Sequence, residues 1–196
     1  MVAPKSVRWG AHPPRRAVTI YPRYADLIVA QIKRRENRSE KEAKLFKKLG
    51  WLLVHAKSTA TPPEHEHRIN TTLSNTYSNL FPEDPEIYGH IIGAMHVAAI
   101  QDAATASEEV QQAPWVIGDG KWSSLCIIDK AVKFKERYKA KGQMGAWSAE
   151  TRMAAADFAR MQEELDELEP SLDDSDDEDQ FIAWLKPEYE LDGIHK

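Results

Sequence analysis

Residues 17–38, AVTIYPRYADLIVAQIKRRENR, constrain this chain more than any other stretch. They open with a short apolar run, Ala17-Val18-Thr19-Ile20, which suits a buried strand. Tyr21-Pro22-Arg23-Tyr24 comes next, and proline can start a helix because the first helical position needs no N–H. Leu27, Ile28, Ala30 and Ile32 then recur at helical spacing, with Tyr24 able to join the same apolar face. The helix gives way to Lys33-Arg34-Arg35-Glu36-Asn37-Arg38, four cations around one carboxylate. A strand, a helix and a basic turn in so short a span put a positively charged rim beside a buried core.

The rest of the chain adds strands and short helices around this unit. Ser39 followed by Glu42 reads as a capping box for a helix over residues 39–48, whose lysines make one side basic. That side is either a solvated face or part of a surface shared with residues 33–38. Gly50 ends the helix, and Trp51-Leu52-Leu53-Val54-His55-Ala56 reads as a buried strand. His55 at its end is either a hydrogen-bonded core histidine or a group lining a cleft. His65 and His67, two apart and without further placed ligands, do not make a metal site, and no metal or cofactor is expected. Residues 69–80 read as a polar helix or irregular excursion. Residues 88–100 carry a strong strand signal, with Gly89 and Gly93 permitting the bends a small barrel needs. Asp119-Gly120 is a hairpin signal, and residues 125–128 and 131–134 are the last strand candidates. Lys133, Lys135, Arg137, Lys139 and Lys141 alternate after them as a basic edge.

Charge is informative only when the chain is divided. Residues 1–150 hold 22 Lys and Arg against 16 Asp and Glu, whereas residues 151–196 hold 4 against 15. A basic body (+6) therefore carries a strongly acidic tail (−11). Residues 1–15 read as a flexible basic arm rich in proline. Ser148 is expected to cap an amphipathic helix ending at Leu168, so residues 148–169 form a helix and 170–196 an acidic linker with an aromatic tail. That tail could dock on a protein partner, fold back on the body, or do neither. Cys126 is the single cysteine, so no intrachain disulfide forms. No stretch reaches membrane-spanning length, and the first residues lack the apolar core of a secretory signal. The chain reads as soluble and intracellular: cytoplasmic, or nuclear if eukaryotic.

The order strand, Pro-plus-aromatic turn, helix and then Lys-x-x-Glu-x-Arg (Lys33, Glu36, Arg38) resembles the signature of the ASCH domain, a small RNA-associated β-barrel of the PUA-like superfamily. Three later pieces fall in that family's order. They are the strand from Gly50 to Ala56, the run Ile91-Ile92-Gly93-Ala94-Met95-His96-Val97, and Trp122 onward to Gly145-Ala146-Trp147. The likeness spans residues 16–147, about two thirds of the chain. It implies an α+β fold: an ASCH-like barrel with flanking helices.

The resemblance and the residue types converge on nucleic acid, RNA before DNA. A basic set (Arg23, Lys33, Arg34, Arg38, Lys141) would neutralise phosphates. An aromatic set (Tyr21, Tyr24, Trp115, Trp122, Trp147) would stack unpaired bases, unless the tryptophans are core. Glu36 would accept a base N–H, or else pair with Arg38 to hold the barrel closed. The family resemblance favours a cleft position for His55. Some relatives deacetylate a modified cytidine with a Lys, a Thr three residues later and a separate Glu. Lys33 stands at the Lys position, but Glu36 occupies the place of the Thr. Other relatives are ribonucleases, and Lys33 with His55 are the candidates for general acid–base cleavage of RNA. A hydrolase and a protein-interaction adaptor acting through the tail are the alternatives to simple binding.

Overall fold

The computed structural model describes Trp9 and residues 13–72, 82–107 and 123–168. The basic arm apart from Trp9 and residues 13–15, the Asp119-Gly120 turn, Trp115, Trp122 and the acidic tail lie outside the described residues. The elements run β1 (Arg16–Ile20), α1 (Pro22–Val29), β2 (Arg35–Arg38), α2 (Glu40–Leu49), β3 (Trp51–Ala56), α3 (Pro63–Thr72), β4 (His90–Asp102), β5 (Ser124–Lys139), β6 (Ala146–Ser148) and α4 (Ala155–Leu168). Among the described residues no helix is long and apolar enough to cross a membrane.

One six-stranded sheet has the order β2-β5-β4-β3-β1-β6. β1 and β3 pair in parallel, and every other neighbouring pair is antiparallel. The long β4–β5 ladder shifts register at three places between Ile91 and Ala99, and such bulges bend a strand pair and increase its twist. At Gly93 a Cβ would stand 2.1 Å from the Val132 carbonyl oxygen and 2.7 Å from Val29 Cγ1. Only glycine lets β5 and α1 approach β4 so closely there. The sheet curls around Leu27, Ile28, Phe46, Leu52, Val54 and Met95, all fully buried.

This α+β architecture agrees with the expected fold class. The barrel is a half-barrel: β2 and β6 end the strand order and do not pair with each other. Each is short, four and three residues, and each already pairs with an inner neighbour, β5 and β1. Helix α2 packs against both ends instead, with Ser39 as its N-cap and Gly50 as its C-cap.

Two local expectations change. Residues 35–38 are not a turn but strand β2, pairing Arg35–Arg38 with Ile127–Ser124. The anticipated basic edge is on β5: β2 covers only Ser124–Ile127, and residues 133–139 pair with β4 alone. Its cations point outward and find carboxylates: Lys133 with Asp26 at 2.9 Å, Arg137 with Asp84 and Glu86 at 2.9 and 2.8 Å. The last helix starts at Ala155, because Met153 first bridges back to Ala140. That helix packs against β5 through Met161 and Leu165. Glu164 accepts a hydrogen bond from the Tyr138 hydroxyl at 2.7 Å, and Trp9 Nε1 donates to the Leu165 carbonyl at 2.9 Å.

Candidate functional site

Where the half-barrel stays open, a cleft of about 740 Å³ remains, a size typical of small-molecule sites. Its walls come from both ends of the sheet. β1 supplies Val18, Thr19 and Ile20, and β2 supplies Glu36, Asn37 and Arg38. His55 of β3, Tyr21 and Tyr24 at the start of α1, and the loop Gly142 to Gly145 complete that half. The facing wall is α3, with Glu64, His65 and Arg68, beside Lys57 and Ser58.

The floor is a buried charge cluster. Lys33 is 1% exposed. Its ammonium donates to the Arg35 carbonyl at 2.5 Å and to the Glu36 carboxylate. The Glu36 Oε1 atom lies 2.8 Å from Arg38 Nη2, and the Arg38 guanidinium sits 5.5 Å from the Phe46 ring centre. Burial pushes the Glu36 carboxyl up, but Lys33 and Arg38 together outweigh it and hold Glu36 below the usual carboxylate range. Burial lowers the Lys33 ammonium, with Glu36 opposing that shift. As a general acid–base pair Lys33 and His55 are thus constrained, since the ammonium is already committed to two acceptors.

Helix α3 is held to α1 by side chains. Arg23 reaches Glu66 Oε2 at 2.9 Å and Asn70 Oδ1 at 3.3 Å, and its backbone N–H donates to Thr61 Oγ1 at 3.1 Å. The Tyr24 hydroxyl lies 3.1 Å from His65 Nδ1. Burial and then Glu36 raise the Tyr24 phenol, so it keeps its proton. Tyr21 packs on His65 with ring centres 5.2 Å apart. The Lys57 ammonium lies 4.6 Å from the centre of the Tyr21 ring. Among the described residues neither Lys57 nor Arg68 has a carboxylate at ion-pair distance.

Of the residues picked out from the sequence, Tyr21, Tyr24, Lys33, Glu36, Arg38 and His55 come together in the cleft. Four others do not line it. Arg23 is 4% exposed and turned toward α3. Arg34 donates to the Gln31 carbonyl at 3.2 Å on the outer surface. Lys141 is exposed beside the cleft without lining it. Trp147 is 3% exposed and packs edge-on against His55, with ring centres 5.3 Å apart. Its indole belongs to a second core cluster, with Trp51, Phe134, Met161 and Leu165, where an aromatic buries more area than a stacking platform would allow. Thr19, Lys57, His65, Arg68 and the Gly142–Gly145 loop were not anticipated. The signal for α3 was Pro63 followed by Glu64 and Glu66, a proline and two carboxylates in a first helical turn. Reading it as a helix puts His65 and Arg68 on one face at i,i+3.

No family model and no curated protein matches the chain. Among solved structures it is similar to the crystal structure of a point mutant of ZmASCH from Zymomonas mobilis, at 13% identity and a TM-score of 0.41, over 76% of this chain and 96% of that one.

Proposed function

We propose that the cleft binds one unpaired nucleotide of a nucleic-acid strand, RNA before DNA. The observation that carries this reading is a floor of mutually paired charges below a mouth whose cations, Lys57 and Arg68, lack carboxylate partners among the described residues. Cations without a carboxylate at a concave rim attract phosphate, and a half-exposed ring such as Tyr21 offers a stacking surface to a splayed base. Lys57 now covers that ring; an entering base takes its place while the ammonium swings to the phosphate. The sequence likeness to RNA-associated PUA-like modules puts RNA ahead of DNA.

Titration of a labelled single-stranded RNA at several salt concentrations tests this. Wild-type affinity falls as salt rises. The double variant Lys57→Ala/Arg68→Ala binds more weakly and with a shallower salt slope, by roughly 0.7 for each phosphate no longer neutralised. A variant with wild-type affinity and slope overturns the assignment.

A further inference from the structure

We propose that His55 reads the ligand: the lone pair on its Nδ1 selects a nucleobase edge that presents an N–H donor. The inference rests on the nucleotide reading above and assigns the chemistry at the bottom of that cleft.

His55 is 1% exposed on β3, opposite Thr19 of β1 in the parallel ladder. Its Nε2 lies 3.2 Å from the Ala140 carbonyl oxygen. A carbonyl can only accept, so Nε2 carries the hydrogen. Burial lowers the imidazole's proton affinity and keeps the ring neutral, against the opposing pull of the Ala140 and Gly89 carbonyls. Nδ1 is therefore an acceptor. It is buried, it lies on a cleft-lining residue, and it has no hydrogen-bond partner among the described residues.

A donor stands beside it. Thr19 Oγ1 accepts from the Gln143 N–H at 3.2 Å and from Trp147 Nε1 at 3.1 Å. With two donors already at its oxygen, the hydroxyl has its own hydrogen to give. Both atoms border Gly142, since a Cβ there would lie 2.9 Å from each of them. Glycine at 142 leaves no side chain to crowd them. An adjacent acceptor and donor match the N4/N3 edge of cytosine or the N3/O4 edge of uracil. A buried acceptor left unmatched is costly, so a base stripped of its donor is rejected. A histidine serving only to anchor Ala140 would be indifferent to the ligand's donor.

The test compares the full chain's affinity for cytidine monophosphate with N4,N4-dimethylcytidine monophosphate, and for uridine monophosphate with 3-methyluridine monophosphate. In the wild type at least one methylated partner binds more weakly, by about tenfold or more. In His55→Leu that ratio falls to about one, and in His55→Gln, whose amide oxygen can accept, it is restored. Equal affinity within both pairs in the wild type, or an unchanged ratio in His55→Leu, overturns the inference. Should the leucine variant not fold, nitrogen NMR of wild-type His55 decides. An unprotonated Nδ1 resonance that moves on adding the nucleotide supports the assignment, and a protonated or unmoved one overturns it. Discrimination that fails while both members of a pair bind sinks this inference alone. Failure of every nucleotide and of RNA to bind sinks the parent reading as well.

Discussion

Arg38 places its Nη2 atom 2.8 Å from Oε1 of Glu36, two residues back along β2. Side chains two apart on a strand share a face, so the pairing follows from the strand itself. Lys33, from the loop before β2, takes the other carboxylate oxygen. Glu36 thereby holds two cations at the bottom of the cleft, one of them fully buried.

Removing the carboxylate charge should therefore be expensive. Glu36→Gln leaves the Lys33 ammonium buried without a counter-charge, a loss of about 3–5 kcal/mol. A urea unfolding curve would read it as a lower midpoint. The double variant Lys33→Met/Glu36→Gln removes the stranded charge and recovers part of the loss. A double variant less stable than the single would contradict the arrangement.

The loop over His55 is equally exacting. A Cβ at position 142 would stand 2.5 Å from His55 Cε1. His55 is held by the Ala140 carbonyl and by Trp147, so it has little room to give way. Gly142→Ala should destabilise the fold by about 1–3 kcal/mol, the usual cost of overpacking. It should also weaken nucleotide binding, because the loop must lift. Wild-type stability together with wild-type affinity would show that the loop is slack.

What could be seen in the sequence was what local pattern determines. The Pro22 helix start, the Ser39 cap and the Gly50 stop each depend on neighbours a few residues away, and each lies where expected. The Lys33, Glu36, Arg38 cluster was visible as a motif. Its geometry was not, because four cations in six residues look like a solvated turn until β5 pairs with them. The same holds for Lys133 to Lys139. That run lies on the half of β5 that pairs with β4 alone, and what its cations meet is decided by Asp26, Asp84 and Glu86, carboxylates far off in the sequence. Trp147 was ambiguous for a related reason: aromatic rings serve cores and stacking platforms alike, and only the surrounding second core decides.

Acid should loosen the structure before any carboxylate titrates. Burial lowers both His55 and His65 below the ordinary 6.5. His90 reinforces this at His55; Arg68 does so at His65, where Glu64 and Glu36 oppose it. Below about pH 6.5 the unfolded chain takes protons that the folded chain refuses. The contribution to stability is thus fully present above that pH and is lost as pH falls through the lower folded values. Glu66, raised above 4.5 by burial, works in the opposite direction at more acidic pH. Urea midpoints measured from about pH 7.5 down to about pH 5.5 should decline. The decline should be shallower in His55→Leu. Midpoints that rise on acidification would refute the burial argument.

The acidic end of the chain bears on binding through charge alone. Residues 170–196 carry two Lys and Arg against nine Asp and Glu, a net charge of −7. The cations at the cleft mouth, Lys57 and Arg68, attract a tethered carboxylate as readily as a phosphate, and tethering raises the tail's effective concentration. Truncation after Glu169 should therefore tighten single-stranded RNA binding several-fold at low salt. The gain should shrink as salt screens both interactions. Adding the tail back as a separate peptide should compete only weakly, because the advantage of tethering is gone. Equal affinity of the truncated and full chains at low salt would show that the tail does not reach the mouth. A truncated chain that binds more weakly would mean that the tail contributes to the RNA site instead of competing for it.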